Sequence, residues 1–490
     1  MISTHSSAPT ARKILAVTGI FLGLVCVAFF CFYHLGYDEL NSWDEARHGV
    51  SAYEMLQTGD FIVTTWDYSP DYWNLKPPLS EWCIALGYKL FGYNAFGLRF
   101  YSALAIFLVA SFSALFLWKN YGAVAATFSL FLLPTFGQLY AYHCTRAADA
   151  DALFIFFYIS AVLCMCNSRR NFRWTYLACL CFSFAFLTKS FHAGLIAFFV
   201  LFALFCLGHF KTMRWKQYLL CGVCSLLPAG CWAIARYLRD GTAFLIPMFA
   251  QDVVNRSATA IEGHSAVWYY YPAVIFKTNN PVLLLFLVLL VFVGIFLCVR
   301  SQKNALISFF SSDFFLLIVA ILIPLIIFSI AKTKLSNYIY CIYPAICLLS
   351  GVSLSLVLKN YAKSVQASVL IVSFALALFV TQNNFRTIIP STDMHDYTLQ
   401  VILSQAPIQS GDHICIAHDF TSYGAGYDWT QAQIMEAEWL TDCFPIYGGV
   451  DAFANDSDAY LIVANSLLET VSDYTILGQT DSYTLLAHNS

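Results

Sequence analysis

The stretch 41-NSWDEARHGVSAYEMLQTGDFIVTTWDYSPDYWNLKPPLSEWCIALGYKLFGYNAFGLRF-100 decides how the chain is read. An acidic pair, Asp44-Glu45, opens it about ten residues after an apolar run ends. From Glu45 to Leu56 the apolar residues Ala46, Val50, Tyr53 and Leu56 share one helical face. Asp44 stands where its carboxylate can accept the free N–H groups of that helix, a role needing no catalysis. Lys76-Pro77-Pro78 then forces an extended turn, because proline removes an N–H and restricts the residue before it. A second amphipathic segment, 79–91, follows and is suited to lie on a membrane surface. Two helices joined by an extended Lys-Pro-Pro stretch make a roof.

Composition says what the roof covers. Of 490 residues, 59% are hydrophobic and only 11% charged, where soluble domains carry about 25% charged residues. Mean hydropathy is +0.65. This excludes a soluble enzyme, a disordered chain and a basic nucleic-acid binder, and leaves a polytopic α-helical membrane protein. Eleven apolar runs are long enough to cross a bilayer: 13–33, 98–118, 123–142, 150–166, 174–189, 190–209, 217–237, 281–299, 313–331, 338–358 and 364–382. The first lacks a small-residue cleavage site and reads as a retained anchor.

The charges orient these spans. With Arg12 and Lys13 in the cytoplasm, alternate turns carry Lys119; Arg169, Arg170 and Arg173; Lys211, Arg214 and Lys216; Arg300 and Lys303; Lys359 and Lys363. These 13 basic residues have one acid near them, Asp313. That is the positive-inside pattern. It predicts an inner-membrane protein with a cytoplasmic N-terminus and an extracytoplasmic C-terminus. Residues 1–382 then form the membrane domain, with a first outer loop at 34–97. Residues 383–490 form a tail holding one base, Arg386, and 14 acids. Alternating runs at 413-HICIAHDF and 459-AYLIVANS read as strands, 474-YTILGQTDSYTLLAH as a hairpin, and 393–407 and 431–440 as helices, giving a small α/β extracytoplasmic domain. Most of the 17 cysteines lie inside spans as small apolar residues. Only Cys415 and Cys443 are placed to pair.

The ordered motifs of the first loop carry a resemblance. Asp44-Glu45-Ala46-Arg47, Glu54-Met55-Leu56, Gly59-Asp60-Phe61, Lys76-Pro77-Pro78-Leu79 and Phe91-Gly92-Tyr93-Asn94-Ala95-Phe96 with Arg99 resemble the GT-C integral-membrane glycosyltransferases. The group holding the aminoarabinose transferase of lipid A and the dolichyl-phosphate-mannose-protein mannosyltransferases fits best. Later segments agree. Arg146 precedes Asp149 and Asp151 at the outer end of a span. His264 to Tyr271 resembles the family's His-x-x-Pro-Trp-Tyr-Tyr segment, with Val267 where proline is usual. Lys332, Lys334, Leu335, Tyr338 and Pro344 resemble its Lys-x-Lys-Leu turn.

The resemblance implies an inverting transfer of a sugar from a polyprenyl (undecaprenyl) phosphate donor to a lipid or protein acceptor, with no nucleic-acid partner. It puts Asp44, Glu45 and Asp151 in catalytic roles, Asp44 as the base. Lys76 and Lys334 would bind the donor phosphate, with Arg47, Arg146 and Tyr338 beside them. Asp149, His264, Trp268, Tyr269 and Lys332 would line the donor or acceptor wall. No cofactor is firmly implied; the acidic residues at 149 and 151 either bind a divalent cation such as Mg or Mn, or simply mark the solvated end of a span. The lysines at 332 and 334 also read as interfacial anchors, and the aromatic run at 268–271 as an aromatic belt. His48, His143 and His264 read as solvated loop residues. A transporter and a non-catalytic lipid-binding relative are the alternatives, but ionisable residues cluster at outer helix ends and not at mid-membrane.

Overall fold

The protein is described by a computed structural model covering residues 8–38, 40, 44–141, 143–251, 265–300, 309–391, 397–405, 407–417, 431–441, 443–446, 448–471 and 473–489. Each of the eleven predicted spans contains a helix. These are α1 (Ala8–Phe32), α4 (Ala95–Tyr121), α5 (Ala123–Leu132), α6 (Asp151–Ser168), α7 (Arg173–Lys189), α8 (Gly194–Cys206), α9 (Trp215–Asp240), α10 (Pro281–Arg300), α11 (Asp313–Ile330), α12 (Ile342–Asn360) and α13 (Lys363–Ile388). Among the described residues, nine stretches are long and apolar enough to cross a membrane. One of them, Arg173–Cys206, contains both α7 and α8, which part at Ser190, a left-handed residue at φ 50. The helix of the third predicted span is shorter, and Pro134 passes it into two 3-10 turns.

The basic turns meet at one end of the bundle. Asp313 opens α11 there, accepting a hydrogen bond from the Tyr121 hydroxyl at 2.9 Å and lying 3.3 Å from the Arg169 guanidinium. The Ser355 hydroxyl donates to the Tyr121 carbonyl and the Ser311 hydroxyl to the Cys206 carbonyl, tying the same ends together. The first loop closes the opposite end. It holds α2 (Glu45–Thr58), a two-residue hairpin β1 (Thr65–Trp66) and β2 (Ser69–Pro70), and α3 (Leu79–Phe91). Helix α3 crosses α4 closely, since a Cβ on Gly87 would stand 2.2 Å from the Gly97 carbonyl oxygen. Only glycine permits that approach.

Ion pairs fix the roof, and they engage three residues expected at the site. Glu45, expected to be catalytic, turns inward. Both of its oxygens take hydrogen bonds from Arg99, at 2.6 and 2.8 Å, and one also accepts the Ala148 N–H at 3.0 Å. Arg47, expected at the donor phosphate, makes a two-point pair with Asp71 and lies between the indoles of Trp66 and Trp73, at 4.5 and 4.6 Å. That is the flat, weakly hydrated cation's usual place. Arg146, given the same role, binds Asp38 and the carbonyls of Phe30, Tyr33 and His34. It thereby serves the orphan carbonyls at the end of α1, where a cation also suits the helix dipole.

The tail contains a five-stranded sheet of β3 (His413–Ala417), β4 (Phe444–Ile446), β5 (Tyr460–Ala464), β6 (Thr475–Gln479) and β7 (Tyr483–Ala487), in the order β4-β3-β5-β7-β6. β3 runs parallel to β4 and β5, and β6 and β7 form the predicted hairpin. Cys415 and Cys443 are both buried. Cys415 pairs with Ile446, three rungs past Cys443, or about 10 Å along the strand, too far for a disulfide. Helices α14 (Tyr397–Gln405), α15 (Gln431–Thr441) and α16 (Gly449–Asn455) accompany the sheet.

Helix α15 docks the tail onto the roof. Glu438 accepts a hydrogen bond from the Tyr93 hydroxyl, Tyr93 stacks on Tyr53 at 4.2 Å, and Met435 meets Gly49 of α2. Glu54 of α2 and Glu438 are both buried. Burial pushes Glu54 up to about 7. Burial, and then the nearby Glu54, push Glu438 up to about 8.

Two expectations follow. Glu45→Gln leaves Arg99 without its buried counter-charge, which costs roughly 3–5 kcal/mol. The melting temperature of the detergent-purified protein should fall accordingly; an unchanged value would refute the anchoring role. The two raised carboxyls are protonated in the folded state at pH values where the unfolded chain has released those protons, so stability is lost as pH climbs from about 5 to about 8. Thermal unfolding should show less stability at about pH 9 than at about pH 6. Glu438→Gln should flatten that slope, and a slope unaffected by the variant would rule the pair out.

Candidate active site

Asp44 is the residue before α2, yet its side chain makes no capping bond to the helix. Its carboxylate faces outward to Lys76, 3.5 Å from Oδ1, and to His143, 3.7 Å from Oδ2. Lys76 is held by the extended Pro77-Pro78 turn that leads into α3. Its ammonium also lies 3.5 Å from Asp149 Oδ1, while His143 Nδ1 is 2.6 Å from Asp149 Oδ2. Two carboxylates and two basic groups thus alternate around a ring. Asp149 is almost wholly buried, whereas Asp44, Lys76 and His143 each keep about a fifth to a quarter of the side chain exposed.

The loop carrying Asp149 is clamped from below. The Glu45 carboxylate takes the Ala148 N–H, the His48 Nδ1 hydrogen-bonds the Ala148 carbonyl at 3.0 Å, and the Tyr101 hydroxyl donates to the Asp149 carbonyl. His48, read as solvated, is therefore a buried strut. His143 is likewise no free loop residue. It occupies the left-handed region at φ 67, which non-glycine residues adopt at some cost and often at functional sites.

The charges reinforce one another. Burial alone would lower the Lys76 ammonium, but Asp44 and Asp149 hold it above the ordinary lysine range. Burial would likewise lower His143, and its bond to Asp149 raises it instead. Burial would raise Asp149; Lys76 and His143 overcome that and keep it well below the usual carboxylate range. One ligand atom each from Asp44, His143 and Asp149 lies within 4.8 Å of the others. A divalent cation there would compete with the Lys76 ammonium, and no metal is assigned.

A second polar cluster lies beside the first. Asp151 begins α6 and is bound by Lys189 of α7 at 2.6 Å and by the Asn337 side-chain amide at 3.2 Å. Tyr338 is buried, with the Lys189 ammonium 5.7 Å from its ring and His192 edge-on at 4.8 Å. Lys189 went unnoticed in the sequence. The signal was a lysine closing a span on the face where Asp151 begins the one before it. Lys334, expected at the donor phosphate, is buried and its ammonium donates to the Ala331 carbonyl. Lys76 and His143 share one cluster, and Lys189 holds the next.

The two other family-like segments do meet, through a bridge between Ser265 and Thr333. Lys332, Trp268 and Tyr269 are exposed beside that bridge, while Tyr271 is buried against Phe328. His264 lies outside the described residues.

Known proteins share both the sequence and the fold. The family dolichyl-phosphate-mannose-protein mannosyltransferase matches residues 75–234. An uncharacterised protein of Aquifex aeolicus is 27% identical over 344 residues, 70% of this chain and 74% of its own length. An undecaprenyl phosphate-α-4-amino-4-deoxy-L-arabinose arabinosyl transferase of Pseudomonas fluorescens is 29% identical over 351 residues, 67% of this chain. The match spans only 59% of that relative's length. The crystal structure of ArnT from Cupriavidus metallidurans bound to undecaprenyl phosphate superposes with a TM-score of 0.69 at 15% identity, covering 99% of this chain and 100% of that one. The archaeal oligosaccharyltransferase AglB from Archaeoglobus fulgidus gives 0.53 at 10% identity, over 94% and 70%. The chain has the GT-C fold, with a small sheet domain at its C-terminus, and is similar to glycosyltransferases of the aminoarabinose transferase and protein mannosyltransferase group.

Proposed function

We propose that this protein transfers a sugar, with inversion, from a polyprenyl phosphate donor to a cell-envelope acceptor. The carrying observation is the ring of Asp44, Lys76, Asp149 and His143 at the end of the bundle opposite the basic turns. By the charge pattern that end faces out of the cytoplasm, where a lipid-linked sugar and an envelope acceptor are both within reach. The names of the arabinosyl transferase relatives, and the undecaprenyl phosphate bound in the ArnT structure, support undecaprenyl phosphate as the carrier. An amino sugar moved onto a lipid A-type acceptor and a hexose moved onto a protein hydroxyl both fit this site.

The step balances on the chain's own groups. An acceptor hydroxyl attacks the anomeric carbon as its proton passes to the Asp44 carboxylate, a half-open general base. The bond from the anomeric carbon to the phosphate oxygen breaks, and the electron pair leaves with the polyprenyl phosphate. Lys76 answers the charge that grows on that phosphate. Asp149 is too deeply buried and too well paired to take the proton. Asp151, bound by Lys189 and Asn337, holds the neighbouring wall.

The test mixes purified protein with undecaprenyl phosphate sugars and follows released undecaprenyl phosphate. Asp44→Asn should lower turnover by about 100-fold or more while donor binding stays near parental. Lys76→Ala should weaken donor binding by about tenfold or more, the worth of one charge-assisted contact. No release from any donor, with Asp44→Asn indistinguishable from the parent, would favour a transporter or a lipid-binding protein instead.

A further inference from the structure

The four-membered ring contains more positive partners than a base and a phosphate contact require. Lys76 sits 3.5 Å from Oδ1 of both carboxylates, too far for a tight bond to either. His143 faces the Oδ2 side of the same two groups, but unequally: 2.6 Å from Asp149 and 3.7 Å from Asp44. Asp149 is further fixed by the Ala150 N–H, which its Oδ1 accepts at 2.6 Å. Among the described residues, Asp44 has no comparably short side-chain contact, and it is the more exposed of the two carboxylates.

Consider what a donor phosphate does to this arrangement. Its charge draws the Lys76 ammonium off the carboxylates. Asp44, near solvent, tolerates the loss and becomes a stronger proton acceptor. Asp149, buried, does not tolerate an uncompensated charge. Without another cation it would keep Lys76 for itself and oppose donor binding. The imidazole already in place removes that conflict, and its left-handed backbone puts it on the side Lys76 does not occupy.

We propose that His143 is a positioning residue that keeps Asp149 paired when the donor phosphate claims Lys76, so that Asp44 is released as the base only once donor is bound. The inference rests on the assignment of Asp44 and Lys76 above and adds to it the order of events.

The experiment uses the full-length protein in detergent, with undecaprenyl phosphate binding and sugar release measured separately. In His143→Leu, Asp149 should retain Lys76, so that undecaprenyl phosphate binds about tenfold more weakly and turnover falls with it. In His143→Leu combined with Asp149→Asn, the competing carboxylate is gone and binding should return to near the parental value. A merely structural histidine would give no such rescue. His143→Asn, which keeps an N–H donor near the Nδ1 position but brings no positive charge, should also bind donor more weakly than the parent. If the leucine variant does not fold, His143→Gln serves in its place with the same rescue expected. Parental binding and turnover in a folded His143→Leu would overturn the inference, as would a double variant no better than the single. Retained turnover in Asp44→Asn would instead remove the underlying assignment of the base, so the two failures are told apart.

Discussion

Glu45 gives both of its carboxylate oxygens to Arg99 in a dry interior and takes the N–H of Ala148 as well. Three separate pieces of chain converge on that one group: the start of α2, the start of α4 and the loop before α6. A charge buried this deeply is stable only while all its partners are present. The loop therefore cannot drift from the roof without exposing an unpaired ion to an apolar core. Because Asp44 is the next residue in the chain and Asp149 is next to Ala148, the same constraint sets the distance between the two carboxylates of the outer cluster. The spacing of Asp44 and Asp149 is a consequence of an anchor one residue away on each of the two segments.

That adjacency explains why an acidic pair is used. Successive residues at a helix start point in different directions, so one carboxylate can be buried as ballast while its neighbour remains at the rim. Glu45 is spent on structure, and Asp44 is left without a helix-capping duty. The same separation recurs with the arginines. Arg47 and Arg146 are taken up by Asp71 and Asp38, by two indoles and by the carbonyls ending α1. Among the described residues, Lys76 is a cation at the opening, a compact charge on a flexible stem that can change partners, as a two-point guanidinium pair cannot.

Much of this was legible in the sequence, for reasons that differ by level. The spans follow from hydropathy, because a long apolar run satisfies its own backbone in lipid as a helix, and thirteen basic residues fall in alternate turns. Asp44 and Lys76 were found through ordered motifs, and the strands at 413–417 and 460–464 through alternation. What the sequence does not reveal is which cations are already paired. Arg47, Arg146 and Lys334 carry the right charge on the right side, and sequence does not say whether an acid or a carbonyl elsewhere already claims it. Lys189 was missed for the converse reason: its partner Asp151 is 38 residues away, and only the α6–α7 hairpin brings them together. His143 was read as solvated because a histidine in a polar turn has no periodicity to betray its role. The short strand β4 and helix α16 lacked enough residues to show a period.

The tail completes the same mechanical logic. Helix α15 bears on α2, the helix that begins at Glu45, through Met435 on Gly49 and through Glu438 at Tyr93. Gly49 leaves no side chain between the two helices, so displacement of α15 is felt directly by the α2 backbone one turn from Asp44. A domain carrying fourteen acids would repel the anionic face of a membrane and the phosphates of its substrates. Two of those acids, Glu436 and Glu438, are buried, and Glu438 meets the roof at Tyr93. Among the described residues, the tail meets the roof through Glu438 on the Tyr93 hydroxyl, Trp439 edge-on to Tyr93 and Met435 on Gly49. A contact of that chemistry leaves the cations of the opening available for the donor.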